Sequence, residues 1–162
     1  MGKYYLLSLV FFVATFFSCG DSDKALNVNV SKWNSTVSQM ESVYSWAEQV
    51  KSPSDFSSLN FRVKTGQNYL NNSIEEVLDP NSPNRDEPMN TALVDYMRTC
   101  LDVLSVYEQL GDKAEALTEE EIMAHYDSLD SLSTVLGQKE IVLEEAQMAY
   151  ASKNGIQLSK LQ

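Results

Sequence analysis

Basic residues are scarce in this sequence. Twelve Lys and Arg stand against 23 Asp and Glu, a formal charge of −11. That balance argues against nucleic acid as a partner, and against electrostatic binding to anionic lipid, because both need a basic face. Histidine is scarcer still, with His125 the only one. Ferritin-like di-metal bundles need a Glu-x-x-His motif from each of two helices. The residue three before His125 is Ile122, so that site is excluded. Glu121 lies four residues before His125, but one imidazole and one carboxylate do not close a metal site. Haem held by His125 and a methionine is disfavoured, since Met40, Met97 and Met148 fall on or beside apolar stripes, where Met is ordinary filler. No cofactor is expected. Cysteine occurs only at positions 19 and 100, too few for a disulfide framework. Cys100 falls on an apolar stripe and reads as a buried, inert thiol; a nucleophile would need a base within reach. Gly-rich phosphate loops, period-2 alternation and repeats of solenoid length are also missing.

One long apolar run exists, and it comes first. After Met1-Gly2-Lys3, the 14 residues Tyr4 to Phe17 carry no charge. That length suits the apolar region of a signal peptide and falls short of the roughly 17–25 residues needed to span a bilayer. Leu6 stands where N-myristoylation wants Ser or Thr. Ordinary signal cleavage wants small residues before the cut, and Phe16 and Phe17 fill that window. "FFSC", with small Ser18 directly before Cys19, is better read as a lipobox. It resembles the lipoproteins of Bacteroidota, with Phe16 where Leu is commonest. Asp21 and Asp23 resemble the acidic surface-export signal of that group. The resemblance implies that Cys19 is the lipidation site. Its thiol would take diacylglycerol, and its amine, freed by cleavage, would take a further acyl chain such as palmitate. Each buried CH₂ contributes about 0.8 kcal/mol, so two or three chains anchor stably where one is marginal. The implied address is the outer membrane, surface-exposed or periplasmic, with the membrane itself as partner. A Cys19–Cys100 bridge is the competing, disfavoured reading.

Three regions follow: a signal peptide over 1–18, a lipidated cysteine and tether over 19–30, and a helical domain over 31–162. Loss of residues 1–18 removes Lys3 alone among charges, leaving 11 basic against 23 acidic residues and a net charge of −12. The 144 residues that remain suffice for one domain with a real core. Asp21 to Asn29 is polar and short, and reads as tether. Beyond it, four segments show helical periodicity. Trp33, Val37, Met40, Tyr44 and Ala47 mark one face of the first, with Ser31 as N-cap and Ser52-Pro53 as its end. Leu59, Val63, Gly66, Leu70, Ile74 and Val77 mark the second, where Gly66 would allow close approach of another helix. A loop, Asp79 to Pro88, precedes the third face of Leu93, Met97, Cys100, Leu104 and Tyr107, with Gly111 as a natural C′ residue. Thr118 and Glu121 have capping-box spacing. The fourth segment follows along Leu129, Leu132, Leu136, Leu143, Ala146 and Tyr150, with Val135, Val142 and Ala149 alongside. Gly137 is a candidate bend, and Asn154-Gly155 the end. The expected fold is all-α: an antiparallel four-helix bundle with a long C-terminal helix.

Few residues remain as candidates for function. The oxygens of Asp79, Asn81, Asn84, Asp86 and Glu87 do not follow the EF-hand order, and a solvated loop is favoured. Carboxylate pairs such as Glu140 and Glu144 read as a solvated face in so acidic a chain. The two Asp-Ser-Leu triplets of Asp127 to Leu132 look like the short O-glycosylation sites of exported Bacteroidota proteins, but would lie within a helix. Trp46 lies off the first helix's stripe and is the candidate partner contact. Near the C-terminus, Gln147, Tyr150-Ala151 and Lys153 are similar to the end of a family of uncharacterised helical surface lipoproteins. That resemblance implies architecture and address but no activity. The expected function is a non-enzymatic binding or structural module of the cell envelope, its protein or other macromolecular partner unnamed. The alternative is a small-ligand carrier or enzyme using the bundle interior. A dry apolar core favours the first; a deep pocket with convergent polar groups favours the second.

Overall fold

The first apolar stripe starts earlier than the polarity of the sequence suggests. Leu26, Val30, Trp33, Val37 and Met40 are all buried, a continuous 4-3-4-3 series on one helix face. A computed structural model describes residues 20–50, 55–82, 84–113 and 116–157. Residues 1–18, expected to form a signal peptide, and Cys19 lie outside them. Helix α1 runs Asp21–Ala47, α2 Phe56–Val77, α3 Pro88–Lys113 and α4 Glu119–Lys153. No strand occurs among the described residues, and the four helices pack against one another as a bundle.

The tether expected through residue 30 is therefore corrected. Residues 21–30 are α-helix, and Ser31 is a helix-interior residue rather than an N-cap. Leu26 and Val30 face inward together with Asp23 and Asn29, while Asp21, Lys24 and Val28 lie on the outer face. Asp21 and Asp23 fall in the first turn, where negative charge suits the helix dipole. Asp23 is itself buried, at 6% exposure, so it is part of the fold rather than of a solvated acidic leader.

Two apolar clusters hold the helices. The main one joins Trp33, Val37, Met40 and Val43 of α1 to Leu59, Val63 and Leu70 of α2, to Leu93, Met97, Cys100 and Leu104 of α3, and to Leu136 and Leu143 of α4. A smaller one gathers Leu26, Val30, Met89, Tyr150 and Ala151 around the start of α1 and the end of α4. Each fully buried Leu contributes roughly 1.5–3 kcal/mol relative to exposure. Gly66 sits where expected: a Cβ there would lie 3.1 Å from the Leu104 side chain, so its absence lets α2 and α3 close up.

The helix ends follow local chemistry. Thr118 and Glu121 form the capping box: the Glu121 N–H donates to Thr118 Oγ1 at 3.3 Å, and the Thr118 N–H donates to Glu121 Oε2 at 2.8 Å. At the other end of α4, Gly155 adopts φ +67°. The Ile156 N–H then donates to the Ala151 carbonyl at 2.9 Å and the Gly155 N–H to that of Ser152 at 3.2 Å, a Schellman closure. Gly111 is corrected from a C′ residue to a helix-interior one, since α3 continues to Lys113. Its reason is contact: a Cβ at 111 would meet the Asn60 amide at 1.9 Å. Gly137 lies within an unbroken α4, with open space where a Cβ would go. The fourth helix buries only Leu136, Leu143, Gln147, Tyr150 and Ala151. Val135 and Val142, expected beside its stripe, are 39% and 51% exposed.

Candidate functional site

Trp46 is the sequence candidate around which a surface site forms. On α1, Ser42 and Trp46 are four residues apart and share a face. On α2, Ser58, Phe61 and Arg62 are spaced three and four apart and share another. Together Trp46, Ser58, Phe61 and Arg62 line an open cleft of about 290 Å³. Arg62 bridges the two helices. Its Nη1 donates to Ser42 Oγ at 2.8 Å, and its Cζ stands 4.5 Å from the centroid of the Trp46 ring. A cation over an indole contributes about 0.5–1 kcal/mol at such an exposed place. Trp46 is half-buried and packs against the main core, while Phe61 is 74% exposed. The cleft thus offers an exposed phenyl ring beside an indole covered by a guanidinium. That is an open surface for contact.

The cleft was half legible in the sequence. Trp46 was visible as an aromatic residue off its stripe. Phe61 carries the same signal, falling between the buried positions Leu59 and Val63, and Arg62 could be placed only once Trp46 and Ser42 were known to face it.

The remaining candidates occupy other places. Cys100 is fully buried, and burial, followed by the charge of Glu140, pushes its thiol up to about 12. Burial likewise raises the Tyr96 and Tyr44 hydroxyls well above the usual phenol range, with Cys100 adding to both. This cluster is protonated at neutral pH, which suits packing. Glu140 itself is held above the usual carboxylate range, first by desolvation and then by neighbouring Glu144. Glu121 is spent on the capping box, and its hydrogen bonds with Thr118 hold its carboxyl low. Among the described residues, no group of three or more His, Cys, Asp or Glu is arranged to hold a metal. In the loop after α2, Asp79 Oδ1 accepts from the Asn81 backbone N–H at 2.8 Å and from its side-chain amide at 3.0 Å. The carbonyl of Asn84 accepts from Asn90 at 2.7 Å, so these oxygens serve the loop. Both serines of the Asp-Ser-Leu triplets are exposed on α4 and donate back along it: Ser128 to the Ala124 carbonyl at 2.9 Å and Ser131 to that of Asp127 at 3.0 Å.

A second polar cluster, unanticipated from the sequence, is internal. Asn29 is 1% exposed. Its Nδ2 donates to the Met89 carbonyl at 3.0 Å and to Asn90 Oδ1 at 2.8 Å. Its Oδ1 accepts from Gln147 Nε2 at 2.8 Å. One amide thereby ties α1, α3 and α4 together, and its hydrogen-bonding capacity is largely used. It is a structural joint.

In comparisons with known proteins, no family model, curated protein or solved structure matches the chain. Among the described residues, no helix is long and apolar enough to cross a membrane.

Proposed function

We propose that this chain is a bacterial lipoprotein, held in the outer membrane by acyl chains on Cys19. Its antiparallel helical bundle acts there as a non-enzymatic binding module of the cell envelope. The observation that carries the anchor is the boundary at Ser18-Cys19, behind an uncharged run and two phenylalanines that suit lipobox processing better than ordinary cleavage. The antiparallel reading of neighbouring helices is supported by paired positions. Glu87 before α3 meets Lys153 at the end of α4, at 3.2 Å, and Gln67 of α2 meets Glu108 late in α3, at 2.9 Å. The binding reading is supported by a core filled with apolar side chains and by the exposed aromatic and cationic cleft at Trp46, Phe61 and Arg62.

Cys19→Ala is the direct test. Metabolic labelling with a radioactive or clickable fatty acid should vanish, and the protein should move to the soluble fraction. Unchanged labelling or retention in the membrane would refute the anchor.

A further inference from the structure

We infer that the bundle sits end-on upon its bilayer, with the start of α1 and the end of α4 against the headgroups and the Trp46 cleft pointing away. This rests on the anchoring of Cys19 proposed above. Helix α1 begins at Asp21, two residues beyond the anchor. Two residues span at most about 7 Å even when fully extended. The first turn of α1 is therefore held within that reach of the lipid-bearing residue.

That turn is built into the bundle. Asp23 and Leu26 are 6% and 0% exposed, and Ser22 Oγ donates to Asn154 Oδ1 at 3.1 Å. Unwinding α1 through its second turn to make a longer linker would pull Leu26 out of the smaller apolar cluster, at a cost of about 2 kcal/mol for that side chain alone. The end of α4 comes along with it, through Asn154.

The chemistry of this end suits a zwitterionic headgroup layer. It carries two ion pairs, Lys24–Asp21 at 3.3 Å and Lys153–Glu87 at 3.2 Å. Each pair is locally neutral and still offers donors and acceptors to phosphate and ammonium groups. The long flank of α4 is different: Glu119, Glu120, Asp127 and Asp130 are exposed along it. A bundle lying on that side would press carboxylates against lipid phosphates. Standing on its end turns that row away from the lipid, and the carboxylates of the end itself, Asp21, Asp23, Asp86 and Glu87, have Lys24, Arg85 and Lys153 beside them. Trp46 then lies 25 residues further along α1 than Asp21, about 38 Å from the anchored end at 1.5 Å per residue. The cleft is carried clear of the bilayer, where a macromolecule can reach it.

The test places reporters on one helix. Ser152→Cys and Glu120→Cys are both exposed and stand about 48 Å apart along α4. Cys100 is buried and protonated, so it stays out of reach of a thiol-directed fluorophore. The full lipidated protein is labelled at one site or the other. It is then reconstituted into phosphatidylcholine–phosphatidylethanolamine vesicles containing a nitroxide-headgroup lipid. Quenching at position 152 should exceed that at position 120 severalfold. Equal or reversed quenching in protein that floats with the vesicles would overturn the end-on seating and leave the anchor standing. Failure to float would remove the anchor and the seating with it. A long Gly-Ser insert after Gly20, which behaves as a flexible coil, should keep flotation and abolish the difference. A difference that survives the insert would show that the short link is not what seats the end, and would overturn the inference.

Discussion

The two ends of the bundle are closed by different chemistry. At the end where α1 starts and α4 stops, the buried amide of Asn29 reaches three partners, Met89 and Asn90 of α3 and Gln147 of α4. A small apolar cluster surrounds it. At the end where α1 stops and α2 starts, the helices meet through Arg62, stacked on Trp46 and bonded to Ser42 at a part-exposed site. Buried polar groups are costly to strand, whereas exposed ones exchange their partner for water. The first end is thus a joint that resists change, and the second is a surface that tolerates it. Binding surfaces commonly lie where local stability is low.

The comparison can be broken most forcefully at Asn29. Asn29→Ala leaves the buried Gln147 Nε2 without its acceptor and removes a second donor from the Met89 carbonyl, and should lower unfolding free energy by about 1–3 kcal/mol. Arg62→Ala should lower it by about 1 kcal/mol or less. Urea denaturation with unchanged slope would measure both. Equal losses would erase the distinction between the ends.

A smaller effect is expected at the contact of α3 with α2. Asn60 Nδ2 donates to Asp112 Oδ1 at 2.8 Å, and its amide fills the space beside Gly111. Gly→Ala within a helix ordinarily stabilises by about 1 kcal/mol. Gly111→Ala should realise that gain only in an Asn60→Ala background, because in the native chain the new methyl collides with the amide. Thermal melts of the two singles and the double form the cycle, and additive changes would show that the contact is slack.

The smallest effect belongs to the middle of α4. The Glu140 carboxyl is raised by desolvation and by Glu144. A carboxyl raised on folding stabilises the protein below its unfolded pKa, and that contribution is lost as pH rises through the folded value. Glu140→Gln should therefore melt higher than the native protein at pH 7 and no differently near pH 4. The gain should stay below about 1 kcal/mol, because the group is part exposed and screened. A variant that melts lower at pH 7 would reverse the assigned sign.

Much of this architecture was readable from spacing. Four stripes, the capping box at Thr118 and the stop at Asn154-Gly155 all sit where the periodicity and cap chemistry put them. The start of α1 was obscured because Asp, Ser, Lys and Asn crowd residues 21–29. The buried series nevertheless runs back unbroken through Val30 to Leu26, and average polarity hid a face that period alone would have revealed. Val135 and Val142 misled for the opposite reason. They lie beside a stripe, but α4 presents only a narrow face to its neighbours, chiefly α3. The pairing of Asn29 with Gln147 could not be read at all. A polar residue at a core position becomes intelligible only when its partner, here 118 positions away, is brought beside it.

The same amide has a consequence for uniqueness. Leu-rich stripes repeat every turn, so helices packed through them alone can slide by one turn and still find apolar neighbours. Asn29 cannot slide, since a shift of about 5.4 Å would part it from Met89, Asn90 and Gln147 at once. It acts as a key that admits one axial setting of α1, α3 and α4, the best-attested use of a buried polar group. Asn29→Leu combined with Gln147→Leu should leave a helical protein whose backbone amide resonances split into several sets, and a single sharp set would show that apolar packing alone selects the register.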